Sequence, residues 1–179
     1  WTEIFIYDTG DNIWSSPAAA DIDGDGEIEV VFTSISKKIF ILDNYNTETN
    51  TYNVLEIATD VYLLGTPALG NLDSDNELEI VVAGYGPNTA ENKVYVFNPD
   101  GSLVFNKVIG EKVLKGISLA DFNNNGKDDI VFGTESSNLY LVLDNGDIAT
   151  GFPYSVSSKV QISPAILSIN GTPYICFGS

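Results

Sequence analysis

The 179-residue chain contains no arginine, no histidine and no methionine, and one cysteine, Cys176. Each absence closes off a class of function. Without arginine the planar fork that grips phosphates and guanine edges is missing, and a formal charge of −17 repels a phosphate backbone, so nucleic acid is excluded as a partner. Without histidine the chain lacks the commonest general base near neutral pH and the commonest transition-metal ligand. No serine or cysteine can then be activated by an imidazole, and an enzymatic role is not expected. A lone cysteine forms neither an intrachain disulfide nor a thiolate zinc cage, and within Tyr174–Phe177 it reads as a small buried hydrophobe. No apolar stretch reaches the roughly 18 residues that span a bilayer, and the start at Trp1 has no basic or signal-like segment, so membrane insertion is not expected. The missing initiator methionine suggests a mature or excised piece of a longer polypeptide.

What is present is a globular composition, 44% hydrophobic with 11% aromatic residues, and a repeat. Three acidic loops recur every fifty residues: DIDGDGEIE from Asp21, NLDSDNELE from Asn71 and DFNNNGKDD from Asp121. Alternating oxygen-bearing side chains in a tight loop suit a hard cation that takes six to eight oxygens, which points to calcium. The side-chain ligands expected in the first loop are Asp21, Asp23, Asp25 and Glu29, with Gly26 supplying a left-handed turn. In the second they are Asn71, Asp73, Asp75 and Glu79, with Asn76 in the place of that glycine. In the third they are Asp121, Asn123, Asn125 and Asp129. The formal ligand charge falls from −4 through −3 to −2, so the first of up to three Ca2+ sites is expected to bind tightest. Glu29 and Glu79 are expected to chelate through both oxygens. An EF-hand is ruled out because its twelfth position would fall on Phe32. Magnesium suits an all-protein cage poorly, and the bland alternative is a set of solvated turns.

The flanks align as well. SSPAAAD, GTPALGN and KGISLAD end at Asp21, Asn71 and Asp121, and short apolar runs follow each loop. A fourth copy keeps SPAILS from Ser163 and YICFG from Tyr174, but its loop has shrunk to Ile169–Pro173, too short and neutral to cage an ion. Each full copy reads as four extended segments. The third segments are Lys38–Leu42, Val94–Phe97 and Leu139–Leu143. The fourth are Tyr52–Ala58, Leu103–Ile109 and, less clearly, Phe152–Val160. Asp100-Gly101 and Asn145-Gly146 mark hairpin turns between them. The fold class expected is all-β, a propeller of four-stranded antiparallel blades. The repeats fall at about 15–64, 65–114, 115–161 and, partially, 162–179. Trp1–Tyr7 takes the place of a fourth strand from a preceding blade.

The unit (S/T)-P-A-x-x-(D/N)-x-(D/N)-x-(D/N)-(G/N)-x-x-(D/E) resembles the FG-GAP or VCBS-type repeat, the blade of integrin alpha-subunit propellers and of related bacterial and archaeal extracellular proteins. Phe132-Gly133 and Phe177-Gly178 keep the Phe-Gly pair; Phe32-Thr33 and Val82-Ala83 do not. The resemblance implies further ligands from the carbonyls of Glu27, Glu77 and Lys127. It also implies a calcium-stabilised module, extracellular or at the cell surface, that binds a protein or carbohydrate ligand. The alternatives are an accessory propeller of a secreted enzyme, and a structural subunit that associates head to tail through open blade edges. Tyr45, Tyr52, Tyr62, Tyr85 and Tyr154 could stack on sugars, though hairpin support is the plainer role.

Overall fold

A computed structural model describes residues 5–179. Three four-stranded antiparallel sheets and one two-stranded sheet follow one another along the chain. The first holds β1 (Ala18–Ala20), β2 (Glu29–Ser34), β3 (Lys38–Asn46) and β4 (Thr51–Ala58) in sequence order. The second repeats this with β5 (Ala68–Gly70), β6 (Glu79–Gly84), β7 (Lys93–Phe97) and β8 (Leu103–Val108). The third holds β9 (Ser118–Ala120), β10 (Asp129–Gly133), β11 (Asn138–Val142) and β12 (Tyr154–Ser155), and the last is the hairpin β13 (Ala165–Ile169) and β14 (Thr172–Cys176). A 3-10 turn, Thr89–Glu91, precedes β7.

The first strand of each sheet touches the first strand of the next, β1 on β5, β5 on β9 and β9 on β13. The sheets therefore fan out from a common inner edge. Their middle strands are buried on both faces, which explains why β6 reads EIVVAG with no polar alternation. Period-2 geometry sends Ile80 and Val82 one way and Val81 and Ala83 the other. The former pack with Val31, Ile39, Ile41 and Ile57 of the first sheet, and the latter with Ile130, Phe132, Tyr140 and Val142 of the third. Each such side chain, fully buried, contributes roughly 1.5–3 kcal/mol. The outer strands β4 and β8 face solvent on alternate residues.

Backbone groups lace neighbouring sheets together. The N–H of Leu78 donates to the Ile22 carbonyl at 2.8 Å, and that of Asp128 to the Asn71 carbonyl at 2.7 Å, so each acidic loop latches onto the one before it. Gly65 lies so close to the next repeat that an added Cβ would sit 2.3 Å from the Lys115 carbonyl oxygen.

Four expectations need correction. The segment Phe152–Val160 contributes only Tyr154–Ser155 as strand, because Pro153 has no N–H for a ladder and the serine-rich stretch beyond it has no apolar face to bury. Trp1–Ile4 lie outside the described residues, and Phe5–Tyr7 form no strand. Their rings instead cover the first sheet, Phe5 edge-on to Tyr52 and Tyr7 edge-on to Phe40. Cys176 is exposed, because it pairs with Ala165 on the face of the hairpin turned away from the third sheet. Asn76 does not take the left-handed conformation expected of it, whereas Gly26 (φ +94) and Gly126 (φ +86) do.

Candidate metal loops

The three loops join the first two strands of the three full sheets, at the same end of the molecule. The alternating carboxylates first build the loops themselves. Asp21 accepts the N–H of Gly24 through Oδ1 and of Gly26 through Oδ2, at 2.8 and 3.1 Å. Asp23 accepts from Asp25 at 3.1 Å, and Asp25 from Glu27 at 2.8 Å. The third loop repeats this pattern with Asp121, Asn123 and Asn125. The second differs at its start: the Asn71 amide donates to the Asp75 carbonyl at 2.8 Å. That bond replaces the pair that Asp21 makes to backbone N–H groups, which accounts for the missing left-handed residue at Asn76.

The ninth position is the structural pivot. Glu29, Glu79 and Asp129 are 1%, 0% and 0% exposed. One oxygen of each accepts the N–H of the loop's second residue: Ile22 at 2.7 Å, Leu72 at 2.5 Å and Phe122 at 3.0 Å. One oxygen of Glu29 and one of Glu79 thus serve a buried N–H, each keeping a second lone pair.

The remaining oxygen separates the loops. Oε1 of Glu29 and Oε1 of Glu79 are buried with no hydrogen-bond partner, as are Oδ1 of Asp43 on β3 and Oδ1 of Asn71. A buried oxygen without a donor is costly. Asp21, Asp23 and Glu29 each bring a carboxylate oxygen within 4.8 Å of the others, and so do Asp73, Asp75 and Glu79. These two loops fit a divalent cation. In the third, Oδ1 of Asp129 accepts the Asp144 N–H at 3.0 Å and the Asn123 amide at 3.4 Å. The Asn125 amide also donates to Asp144, and the Lys127 ammonium stands 3.9 Å from that carboxylate. The carboxylate count there is lower and its pivot is already satisfied.

Asp25 falls outside the first carboxylate trio, its oxygen holding the turn. Glu27, Glu77 and Lys127 occupy the seventh loop positions named for their carbonyls. Sequence inspection missed Asp43, which lies on the strand rather than in the loop and whose charge bears on Glu29. Burial pushes the Glu29 carboxyl above its ordinary range, with Asp23, Asp43 and Asp25 adding to the rise. Burial does the same to Glu79, with Asp73 and Asp75 adding, and to Asp129. Carboxylates held in this way lack a counter-charge. Lys127 is the only lysine at the loop end, since strand register places the others toward the opposite end.

Four of the tyrosines pack against one another in pairs. Tyr45 and Tyr52 face each other across the β3–β4 hairpin at 4.8 Å, and Tyr62 and Tyr85 pair at 5.5 Å beneath Lys37 and Lys112. Asn170-Gly171 forms the turn of the last hairpin with both residues at positive φ, as a type I′ turn requires.

Fold and loops together define a propeller-like, all-β repeat protein with two acidic clusters able to hold a metal ion. Residues 71–132 match the family model of the FG-GAP-like repeat. Among solved structures the chain is similar to the C-terminal domain of PilY1 from Pseudomonas aeruginosa, at 16% identity and a TM-score of 0.66 over 91% of this chain and 43% of that one. It is also similar to BBS1N, solved in complex with ARL6DN, at 12% identity and a TM-score of 0.64 over 88% and 48%. A protein of unknown function from Bacteroides caccae aligns at 14% identity and a TM-score of 0.52 over 96% and 55%. The chain thus spans about half the length of these structures, and the likeness is one of fold. No curated protein matches the sequence. Among the described residues no helix is long and apolar enough to cross a membrane.

Proposed function

We propose that the chain is a calcium-stabilised β-propeller module that works outside the cell by binding or scaffolding rather than by catalysis. The observation that carries this reading is the pair of buried, unpartnered carboxylate oxygens, Oε1 of Glu29 and Oε1 of Glu79, each beside two further carboxylates. In the first loop Asp21, Asp23 and Glu29 would hold the ion, and in the second Asp73, Asp75 and Glu79. The bound ion supplies a positive charge that offsets self-repulsion, so its binding energy adds to folding energy. Each loop also latches onto its neighbour, so a rigid loop holds two sheets in register. Millimolar extracellular calcium would fill even modest sites, in a chain with no disulfide to staple it. The carboxylates are committed to these loops and no histidine is available, which supports a non-catalytic role.

The test is a thermal melt of the purified chain with millimolar calcium and again with excess chelator. A calcium-dependent rise in Tm, with about two equivalents bound, is expected; a Tm indifferent to chelator rejects the reading. A second reading, self-association through a blade edge, is favoured by β14, which pairs only with β13 among the described residues and leaves a row of backbone groups open to strand addition. Concentration-dependent light scattering distinguishes it.

A further inference from the structure

At the end opposite the acidic loops, the entries to the four inner strands converge on a cavity of about 290 Å³. Its composition follows from the repeat. Ser16, Thr66, Gly116 and Ser163 hold one repeat position and surround the cavity, while Trp14, Leu64 and Leu114 hold the position two residues earlier and form an apolar collar. Where the first, second and fourth repeats carry a hydroxyl, the third has Gly116, on which an added Cβ would sit 2.6 Å from Ser163 Oγ. The glycine keeps the cavity open.

Three features of the lining point to one kind of guest. Trp14 is 68% exposed, an indole standing in solvent at the rim of the cavity. The hydroxyls of Ser16 and Ser163 make no hydrogen bond among the described residues, and Thr66 Oγ1 only accepts one, from the Ser16 N–H at 3.2 Å. Lys115 lines the same cavity, and its ammonium forms no ion pair among the described residues. Its backbone is pinned by the close approach of Gly65. An aromatic platform, several free hydroxyls and one cation in a cavity of this size match a pyranose ring that carries a carboxylate. The electrostatics agree, because an anion is repelled from the loop end, where the one lysine, Lys127, faces Asp144, and meets the other lysines at this one.

We infer that this axial cavity binds an acidic sugar residue, a hexuronate, as a free monosaccharide or at the end of a polysaccharide, with the ring stacked on Trp14 and the carboxylate held by Lys115. This rests on the reading of the chain as a binding module, but it needs no calcium at the loops. The sugar ring contributes apolar C–H faces to the indole and hydroxyls to Ser16, Thr66 and Ser163. The single charged contact sets the preference for an acid over its neutral counterpart.

The test is quenching of tryptophan fluorescence by galacturonate and by galactose, in the calcium-loaded full chain, with Trp1 as the only other indole. Galacturonate is expected to bind at least tenfold more tightly than galactose. Trp14→Ala should abolish binding of both, followed by calorimetry because the reporter is lost, and Lys115→Gln should erase the preference while galactose affinity stays unchanged. Both sites are on the surface, so a melting temperature equal to that of the parent shows that the variants fold. Equal affinity for the two sugars, no binding at all, or uronate binding that survives both substitutions overturns the inference; the last would place the sugar on the ions of the loops. Displacement of bound galacturonate by an oligoglutamate peptide that binds more tightly would also overturn it, in favour of an acidic peptide. Calcium-dependent melting decides the proposed function separately, so either claim can fail alone.

Discussion

The Tyr140 hydroxyl donates to the Glu111 carboxylate at 3.0 Å, tying the middle of the third sheet to the segment that enters it. The same carboxylate accepts the Asn138 amide at 2.8 Å and the Thr134 hydroxyl at 2.5 Å. One repeat earlier, Asp60 holds Tyr95 and Lys93 in the same way. The linkers into the second and third sheets thus each carry an acid that grips a tyrosine of that sheet's third strand. These clamps lie at the end away from the loops, so each full junction is secured at both ends: by carboxylate and tyrosine at one, by the acidic loop at the other.

The clamp has a signature in alkali. Burial, and then the hydrogen bond to Glu111, push the Tyr140 hydroxyl up to about 12 from an ordinary 10.0. Its folded pKa lies above the unfolded value, so its stabilising contribution is complete below pH 10 and is lost as pH rises towards 12. Ultraviolet titration should show Tyr140 ionising last, with unfolding in that window. Glu111→Gln should bring the transition down by removing the negative charge that opposes phenolate. If Tyr140→Phe left the number of late-titrating tyrosines unchanged, the assignment would fail.

Glu29→Gln separates the two jobs of the pivot. The amide oxygen can still accept the Ile22 N–H, so the calcium-free chain should melt at or slightly above the parent temperature, relieved of a buried charge. Affinity at the first loop should fall tenfold or more, about 1.4 kcal/mol, and the calcium-induced rise in Tm should shrink. Calorimetric titration with paired melts checks both. A variant that loses stability equally with and without calcium would show Glu29 to be a capping residue alone.

Much of this architecture was legible beforehand because repetition amplifies weak signals. The loop at Asp21 is ambiguous alone, but with its flanks and two copies it fixes the strand order and the place of every loop. The hairpin at Asn170-Gly171 was equally readable as a two-residue turn. What could not be read depends on contacts between repeats. Asp43 sits on a strand and joins the first loop only through packing, and the double use of each ninth-position acid needs the second residue's N–H in place. The cavity gathers one repeat position from four repeats, and only their packing brings those residues together. Trp1–Tyr7 takes the place of a strand ahead of the first repeat, yet the rings of Phe5 and Tyr7 are used for covering rather than their backbone for pairing.

Gly65 tests how tightly the repeats nest. An added Cβ would lie 2.3 Å from a backbone oxygen of the next repeat, which cannot rotate away. Gly65→Ala should therefore destabilise by about 2–3 kcal/mol through overpacking, lowering Tm by several degrees in a chain of this size. Gly171→Ala is the control. It has open space around it but a φ of +79, and should cost about 1 kcal/mol. Thermal melts showing the control as the worse of the two would contradict the nesting.

The third loop offers the sharpest contrast among the metal sites. With Asp129 fully engaged by N–H donors and the Lys127 ammonium 3.9 Å from Asp144, a cation entering there must displace donors and meet a resident positive charge. Calcium titration should therefore resolve the first two loops ahead of the third. Lys127→Gln removes that charge and should raise affinity at the third loop severalfold without altering the others. Asn125→Asp adds a carboxylate at the fifth position, the place Asp25 and Asp75 take in the other loops, and should act in the same direction, since affinity follows ligand charge. Terbium luminescence, excited through nearby aromatic residues, can count occupied sites in each variant. A third site already as tight as the first in the parent chain would show that neither the lysine nor the satisfied pivot governs occupancy.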